Sequence, residues 1–349
     1  MQDLSIPTES TVDGRPSFTL VLPVFNEAAL LAANLATLVE HMQGLADRYR
    51  WEFLIVDDGS TDDSAEIATD FAARNPGVRV IRHPRNFRIG QALRFAFPQC
   101  KTDYVVTFDA DLSYTPDHIE RMLDALRANR ARVVVASPYM PGGKTSGVPR
   151  LRLLVSKAAN RFLSLASKSS VKTVTGLVRA YDRRFLDTLN LKAMDNEINA
   201  EIIYKAEILR AGIIEIPAHL DWSHLPDRRS AGMRFHWVTL GFAFTGYLFR
   251  PFMFFMIPGL LALALSAVLG ILLVIQDFQR EAVVYATLFS FIVAVQLIVG
   301  GLVSAQNKRY FEEMFHISTS IRRSVKDIAS PDSILTPPPA PEVKTPPTP

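Results

Sequence analysis

The chain has 349 residues, of which 48% are hydrophobic, and a formal net charge of +3 at pH 7. This charge is too small to indicate a nucleic-acid-binding protein, which usually carries a strong basic patch. Cys100 is the only cysteine, which excludes an internal disulfide or a multi-cysteine metal site. The first residues are polar and lack the apolar core of a signal peptide. We therefore expect the N-terminus to stay in the cytoplasm.

Short apolar runs alternate with segments of helical periodicity over the first part of the chain. The predicted strands are residues 18–23, 51–57, 78–81, 104–109 and 132–136, and the predicted helices are residues 28–41, 64–73 and 116–129. This alternation predicts an α/β fold with a mostly parallel sheet and helices on both faces. In such sheets, ligands bind beyond the carboxyl ends of the strands.

The pattern is weaker after residue 136. A loop rich in glycine covers residues 141–147, and the later predicted elements are helices at 151–167 and 197–211 and a strand at 213–216.

Two long uncharged stretches, residues 251–276 and 282–307, follow this domain. Each exceeds the roughly 20 residues that a helix needs to cross a bilayer. We predict a transmembrane helical hairpin, with a buried core hairpin as the alternative. Basic residues flank both sides: Arg228, Arg229, Arg234, Arg250, Lys308, Arg309, Arg322 and Arg323. Because positive charge favours the cytoplasmic side, we expect the preceding domain and both termini to be cytoplasmic.

The predicted domains follow from these boundaries. They are an N-terminal tail (1–16), an α/β domain (17–234), an interfacial amphipathic helix (235–250), two transmembrane helices (251–307), a cytoplasmic helix (308–330) and a disordered Pro-rich tail (331–349). For residues 235–250, a plain linker is the alternative to a helix lying on the membrane.

Polar motifs follow the first two predicted strands. Pro23-Val-Phe-Asn-Glu27 ends the first strand and offers a carboxylate to a base or ribose. Asp57-Asp58 ends the second strand, followed by Gly59-Ser-Thr-Asp. The last three residues can cap the next helix, but capping does not explain two adjacent acids. The pair suits contacts with a ribose and a base.

Two further motifs point to a diphosphate and a metal ion. Arg85-Asn86 and Gly90 form a basic loop at a helix start, which suits a diphosphate, although an ordinary solvated loop is the alternative. Asp109-Ala110-Asp111 ends the fourth strand. Two like charges there are unfavourable without a cation. We predict that Asp109 and Asp111 bind Mg²⁺ or Mn²⁺, which prefers oxygen ligands and keeps phosphates among them.

Together, the PVFNE, DDGSTD, RN-x-x-x-G and DADLS motifs resemble the catalytic domain of glycosyltransferase family 2, of the GT-A fold. The resemblance implies an inverting hexosyltransferase that uses a UDP- or GDP-linked sugar. It implies that Glu27 and Asp58 contact the nucleoside. The full donor-binding set is Pro23, Phe25, Glu27, Asp57, Asp58, Arg85, Asn86, Gly90, Asp109 and Ala110.

A narrower resemblance is to the dolichyl- and polyprenyl-phosphate sugar synthases. It rests on Gly142-Gly143, on Arg152, Ser156 and Asn160 four residues apart, and on the paired membrane helices. Two positions depart from that pattern: Ala136-Ser-Pro-Tyr139 lacks a basic residue, and Arg179 is displaced by one. The resemblance implies a polyprenyl phosphate acceptor, with Arg152, Ser156, Arg179 and Arg229 as acceptor-binding residues.

The acceptor decides whether a catalytic base is needed. A lipid phosphate is largely dianionic at pH 7 and can attack directly, whereas a sugar hydroxyl needs a positioned carboxylate. Glu197 and Glu201 are candidates for a base or for orienting the sugar, with solvated helix acids as the alternative. Asp111, Arg152 and Glu201 form the predicted catalytic set. Two other functions stay open: transfer to a hydroxyl of a glycolipid or glycan, and a non-catalytic membrane scaffold.

Overall fold

The computed structural model describes residues 14–166, 171–225, 251–275 and 281–328. The predicted interfacial helix at 235–250, the Pro-rich tail at 331–349, most of the N-terminal tail and Arg229 lie outside the described residues.

The described chain forms strands and helices in alternation. The strands are β1 (Ser17–Val24), β2 (Arg50–Asp57), β3 (Val78–Arg82), β4 (Tyr104–Thr107), β5 (Val133–Ser137), β6 (Lys144–Ser146), β7 (Arg179–Asp182), β8 (Ile213–Pro217) and β9 (His219–Asp221). The helices are α1 (Ala28–Gly44), α2 (Ser64–Arg74), α3 (Ile89–Ala96), α4 (Asp117–Ala128), α5 (Arg150–Ala166), α6 (Arg183–Thr188), α7 (Glu197–Ile208), α8 (Pro251–Ile275) and α9 (Glu281–Ile328).

Seven of these strands form one sheet in the order β3-β2-β1-β4-β7-β5-β8. Its pairs are parallel except those of β7, which runs antiparallel to both β4 and β5. Strands β6 and β9 form a separate two-stranded parallel sheet. The prediction of a mostly parallel sheet is therefore confirmed.

Apolar side chains cover both faces of the sheet. Along β1, Leu20 and Leu22 pack into a cluster with α1, α2 and α4. Val21 points to the other cluster, with α3, α6 and α7. This alternation follows from the two-residue period of a strand, and burial on both faces explains the continuous apolar run of β1.

Helices α8 and α9 include two segments that are long and apolar enough to cross a membrane, Phe254–Ile275 and Glu281–Ile321. They pack against each other, and a Cβ at Gly259 would lie 3.0 Å from Ile298. Small residues permit such close approach between helices. Most large apolar side chains of both helices are exposed, as expected for surfaces that face lipid.

Helix α9 is one continuous helix of 48 residues. It replaces the two separate helices predicted over residues 282–307 and 308–330. Its C-terminal part returns to the α/β domain, because Phe315 is buried in the same apolar cluster as α7. The charged residues from Lys308 onward end the apolar pattern without ending the helix, since lysine, arginine and glutamate are good helix formers.

Candidate active site

The predicted donor motifs meet at one edge of the sheet. Strands β2, β1 and β4 are neighbours and parallel, so their carboxyl ends lie together. Val24 at the end of β1 pairs with Asp57 at the end of β2. Beyond β4, the amide of Phe108 donates to the carbonyl of Val21 at 3.1 Å. The structure thus brings together the three segments that the sequence places at strand ends.

The loop after β1 is locked to the loop after β2. Asn26 has a positive φ of 56°, and its side-chain oxygen accepts a hydrogen bond from the Thr61 amide at 2.8 Å. The amides of Asn26 and Glu27 donate to the hydroxyls of Ser60 and Ser64 at 3.0 and 2.8 Å. These bonds fix the backbone from Phe25 to Glu27. The side chain of Glu27 is half-buried, and that of Phe25 is exposed.

Asp57 is completely buried at the end of β2. One of its oxygens, Oδ1, accepts a hydrogen bond from the Ser60 amide at 3.1 Å. The other, Oδ2, lies 3.1 Å from Nε of Arg82 but accepts no well-aligned hydrogen bond from the described residues. A buried acceptor without such a bond is costly, and a donor group of a bound nucleoside can satisfy it.

Asp58 is also buried, and it anchors the loop that carries Arg85. Its Oδ1 accepts a hydrogen bond from the Phe87 amide at 3.1 Å and lies 2.7 Å from Nδ1 of His83. Gly59 follows with a φ of +70°, and a Cβ there would clash with the backbone of Arg85. The contact of Asp58 with a nucleoside remains a prediction, because the structure uses Oδ1 within the protein.

The predicted diphosphate loop leads into α3. The guanidinium of Arg85 stacks on Phe87 at 4.9 Å, and Asn86 accepts a hydrogen bond from the Arg88 amide at 3.0 Å. Arg88 has a positive φ of 73° and forms an ion pair with Asp195 at 2.6 Å. The loop is thus a turn with defined internal contacts, and Arg85, Asn86 and Arg88 are exposed. Its binding of a diphosphate remains a prediction.

The Asp109-Ala110-Asp111 motif forms a tight turn after β4. Leu112 has a positive φ of 51°, and Asp111 accepts a hydrogen bond from the Ser113 amide at 2.9 Å. The carbonyl of Ala110 accepts a hydrogen bond from Asn34 on α1 at 2.9 Å. The side chains of α1 and the turn itself therefore hold the two carboxylates in place.

The two carboxylates fit a divalent cation. Burial, and then the charge of Asp111, raise the pKa of Asp109 to about 8, so the pair resists holding two negative charges without a cation. No group of three or more His, Cys, Asp or Glu side chains that could hold a metal occurs in the described part of the chain. A cation between Asp109 and Asp111 would complete its shell with phosphate and water, as Mg²⁺ often does.

Arg152 lies next to Trp222. Its guanidinium stacks over the Trp222 ring at 4.1 Å. Burial lowers the pKa of Arg152, and the nearby carboxylate of Asp111 opposes this effect. Ser156, one turn later on α5, shares a 2.7 Å hydrogen bond with the Tyr139 hydroxyl. Of the predicted acceptor residues, Arg152 thus lies near Asp111, and Ser156 contacts Tyr139.

Asn160 ends this stripe on α5 and has a structural role. Its side-chain oxygen accepts hydrogen bonds from the amides of Val174 and Thr175 at 2.8 and 3.2 Å. The segment before β7 is therefore tied to α5.

The prediction that Arg179 contacts the acceptor is wrong. Its side chain is completely buried, and burial lowers its pKa. The guanidinium donates to the carbonyls of Gly176, Val174 and Asn199 at 2.8, 2.5 and 2.6 Å. Arg179 therefore holds the segment before β7 against α7 and is enclosed away from any ligand.

Glu201 is also occupied within the protein. Its carboxylate accepts hydrogen bonds from the amides of Lys192 and Ala193, each at 2.9 Å, and pairs with Lys205 at 2.6 Å. These contacts contradict the prediction that Glu201 acts as a base or orients the sugar. Glu197, one turn earlier, is exposed.

One side chain of this site, Trp222, lies outside the sequence motifs. Trp222 directly follows the three-residue strand β9, where an aromatic side chain at a strand end is the only available signal. Tyr139 ends the Ala136-Ser-Pro-Tyr139 segment, two residues after β5.

Comparison with known families agrees with this geometry. The model of glycosyl transferase family 2 matches residues 19–189, which contain every donor motif described above. This domain belongs to glycosyl transferase family 2. The family 2 domain, its α/β fold with a mostly parallel sheet, and its glycosyltransferase class are therefore established, as the sequence motifs predicted.

Individual relatives of the family 2 domain are distant. Polyprenol monophosphomannose synthase of Mycolicibacterium smegmatis is 28% identical over 218 residues, which cover 60% of this chain and 77% of that protein. Glycosyltransferase AglD of Haloferax volcanii is 26% identical over 225 residues, which cover 64% of this chain but only 35% of that protein. This chain thus matches about a third of the length of AglD.

Among solved structures, glucosyl-3-phosphoglycerate synthase from Mycobacterium tuberculosis, in complex with UDP, is 20% identical with a TM-score of 0.49. The match covers 66% of this chain and 80% of that chain.

Proposed function

We propose that the family 2 domain transfers a hexose, with inversion and with a divalent cation, from a UDP- or GDP-linked sugar to a polyprenyl phosphate. Transfer takes place at the cytoplasmic face of the membrane. The name of the M. smegmatis relative, a polyprenol monophosphomannose synthase, supports this acceptor class.

The observation that carries the proposal is the position of Arg152. Its guanidinium is stacked on Trp222 and lies within electrostatic range of Asp111. Stacking uses the face of the guanidinium and leaves its N–H groups to bind a phosphate in a bidentate manner. A phosphate held there adjoins the carboxylates that would hold the donor's metal ion.

Exposed apolar side chains on the same helix favour a lipid acceptor. Leu151 and Leu154 lie one residue before and two residues after Arg152 on α5, and 65% and 66% of their surfaces are exposed. Leucines exposed to this degree, on the helix that carries the proposed phosphate site, suit a molecule with an apolar tail. A water-soluble glycan acceptor does not account for them.

The donor would bind across the ends of β1, β2 and β4. Asp57 offers its buried oxygen to the nucleoside, and the Arg85 loop adjoins the diphosphate. Asp109 and Asp111 would hold Mg²⁺ or Mn²⁺, which stabilises the negative charge that develops on the leaving diphosphate.

The reaction then needs no protein base. A phosphate monoester is largely dianionic at pH 7, since its second pKa is about 6. Its oxygen forms a bond to the anomeric carbon as the bond from that carbon to the diphosphate oxygen breaks, and no proton is transferred. The engagement of Glu201 by Lys192, Ala193 and Lys205 supports this route.

Helices α8 and α9 would hold the site at the lipid surface. Their exposed apolar segments match two membrane spans, and the basic residues on both flanks favour a cytoplasmic domain. Anchoring the domain beside its lipid acceptor raises the effective concentration of that acceptor.

The test is transfer by the full chain in detergent. UDP-glucose, GDP-mannose and UDP-N-acetylglucosamine are each offered with polyprenyl phosphate and Mn²⁺. We expect a lipid product with one donor, and its loss by at least about 100-fold in Asp111→Asn, because one charge-stabilising group of the transition state is removed. Arg152→Ala should raise the KM for the acceptor and leave the KM for the donor unchanged.

The control is Asp70→Asn, which changes an exposed carboxylate on α2. Full activity of Asp111→Asn, or of the wild-type chain in EDTA, would contradict the mechanism. A product that resists mild acid would instead indicate transfer to a hydroxyl, because a sugar attached to a phosphodiester is acid-labile.

A further inference from the structure

The C-terminal part of α9 within residues 308–321, named here the α9 arm, is packed on α7. The ring of Phe311 stacks on Tyr204, with centroids 6.4 Å apart, and on Phe315 at 6.2 Å. Lys308 lies over the Tyr204 ring at 5.4 Å, and Lys205 lies over the Phe315 ring at 5.3 Å. Aromatic stacks and cation–π contacts both stabilise this interface.

Lys205 also contacts the segment of residues 190–195, named here the 190–195 strap. Its ammonium group donates to the carbonyl of Asn190 and pairs with Glu201 at 2.6 Å. Glu201 in turn accepts hydrogen bonds from the strap amides of Lys192 and Ala193. Lys205 is almost completely buried, so its charge depends on these partners.

The strap in turn fixes the first turn of α3. The amide of Gln91 donates to the carbonyl of Met194 at 3.1 Å, and Arg88 pairs with Asp195 at 2.6 Å. Gly90 lies so close that a Cβ there would be 2.5 Å from the carbonyl carbon of Met194. A strap that shifts toward α3 must displace its first turn, because there is no space between them. A strap that shifts away removes the contacts that hold this turn in place.

We propose that the α9 arm positions the donor diphosphate loop through α7 and the 190–195 strap, so that donor affinity depends on the docked arm. Lys205 and Glu201 are then positioning residues rather than catalytic ones. The inference rests on the proposed function, because it takes the Arg85–Gly90 loop as part of the donor site. Under this proposal, the affinity for the soluble donor depends on the helix that would span the membrane.

The experiment compares Phe315→Ala and Phe311→Ala in the full chain in detergent. Phe289→Ala is the matched control, because Phe289 lies on the same helix, inside the apolar segment, and is 71% exposed. Two quantities are measured for each protein: hydrogen exchange of the amides of residues 88–94, and the affinity for UDP and GDP with Mn²⁺ by calorimetry. The KM values for donor and acceptor are measured as well.

We expect faster exchange at residues 88–94 in both variants and a donor affinity that is weaker by roughly three- to tenfold, which lies within the range found for networks of this kind. The KM for the donor should rise while the KM for the acceptor stays unchanged. A general loss of folding would instead lower the maximal rate and leave both KM values unchanged. Phe315→Leu should restore most of the affinity, since it refills the buried position. Phe289→Ala should match the wild type.

Phe311 is 48% exposed, so Phe311→Ala tests the proposal even if Phe315→Ala fails to fold. Unchanged exchange at residues 88–94, in a variant whose α9 arm exchanges faster, would overturn the inference. Faster exchange with unaltered nucleotide affinity would overturn it too. If the wild-type chain binds neither nucleotide and transfers no sugar, the proposed function is contradicted instead. The exchange data would then still decide whether the α9 arm positions α3.

Discussion

Arg152 and Arg179 place the same guanidinium group in two different surroundings. Arg152 is half-buried and stacks on an aromatic ring, whereas Arg179 is enclosed by three backbone carbonyls. A guanidinium offers five N–H donors, and in Arg179 they are directed at the protein itself. The first arrangement suits a ligand and the second suits a structural tie.

Arg179→Met should therefore act on stability. The change leaves buried carbonyls without donors, and we expect the free energy of unfolding to fall by about 3 kcal/mol. Thermal unfolding of the full chain in detergent measures the effect. Arg184→Met, at an exposed position of α6, is the control. A normal melting temperature combined with a raised acceptor KM would show that Arg179 does contact the acceptor.

Cys100 should be inert in the folded chain. The thiol is 2% exposed, and burial raises its pKa to about 12. Alkylating reagents attack the thiolate, and at pH 8 a raised pKa leaves almost none of it. We expect iodoacetamide to label Cys100 at pH 8 only after unfolding in denaturant, as followed by mass spectrometry. Rapid labelling of the native chain would mean that this part of the core opens readily.

At the scale of single elements, the donor loops depend on one glycine. Gly59 combines a φ of +70° with close approach to the backbone of Arg85. Gly59→Ala should weaken nucleotide binding by at least about tenfold, because the Arg85 loop must move away from its binding geometry. Calorimetry with UDP and GDP measures this loss.

Gly14→Ala is a control that separates the backbone strain of a positive φ from the steric clash expected at Gly59. Gly14 has a similar φ of +72°, but a Cβ there would meet nothing within 4 Å. The substitution therefore carries only the strain of a positive φ, about 1–2 kcal/mol, and nucleotide affinity should stay unchanged. Equal losses in the two variants would contradict the role given to close packing at Gly59.

The strands and helices of the donor half were predictable because each has a strong local pattern. β1 and β2 are continuous apolar runs, and α4 has a clear apolar face. β7 and α6 were not predicted, and of α3 only the start near Gly90 was. β7 has four residues and begins and ends with charged side chains, Arg179 and Asp182, so only its pairing with β4 and β5 makes it a strand.

In the candidate site, the donor side was predictable from the sequence and the acceptor side was not. The donor residues follow adjacent strands of a parallel sheet, so their sequence positions already imply that they meet. The acceptor side is built from α5, the segment after β5 and the segment after β9. No local pattern brings Arg152 to Trp222, or encloses Arg179, because both outcomes depend on long-range packing.

At the scale of the whole molecule, the α/β domain and the hairpin of α8 and α9 share a core. Phe315 of α9 is buried among residues of α6 and α7, so the domain lacks part of its packing when α9 is shortened. The prediction of a separate helix after residue 307 missed this link, since the apolar pattern ends where the docked part begins.

A chain that ends after residue 307 should therefore be less stable than one that ends after residue 328. Removing Phe315 alone deletes a buried aromatic side chain, which costs about 3–5 kcal/mol in a well-packed core. Thermal unfolding in detergent compares the two chains, and the full chain serves as reference. Equal melting temperatures would show that the arm adds nothing to the domain.

Helix α9 is longer than a bilayer is thick. At about 1.5 Å per residue, its 48 residues extend about 72 Å, whereas the hydrocarbon core of a bilayer is about 30 Å thick. In the proposed membrane arrangement, the helix would set the height and the orientation of the candidate active site above the lipid headgroups. Adding one residue between the apolar segment and Phe311 would rotate the aromatic stack by about 100° around the helix axis. Seven added residues would nearly restore its orientation and move it by about 10 Å along the axis. Natural variation in this stretch should therefore come in whole pairs of turns.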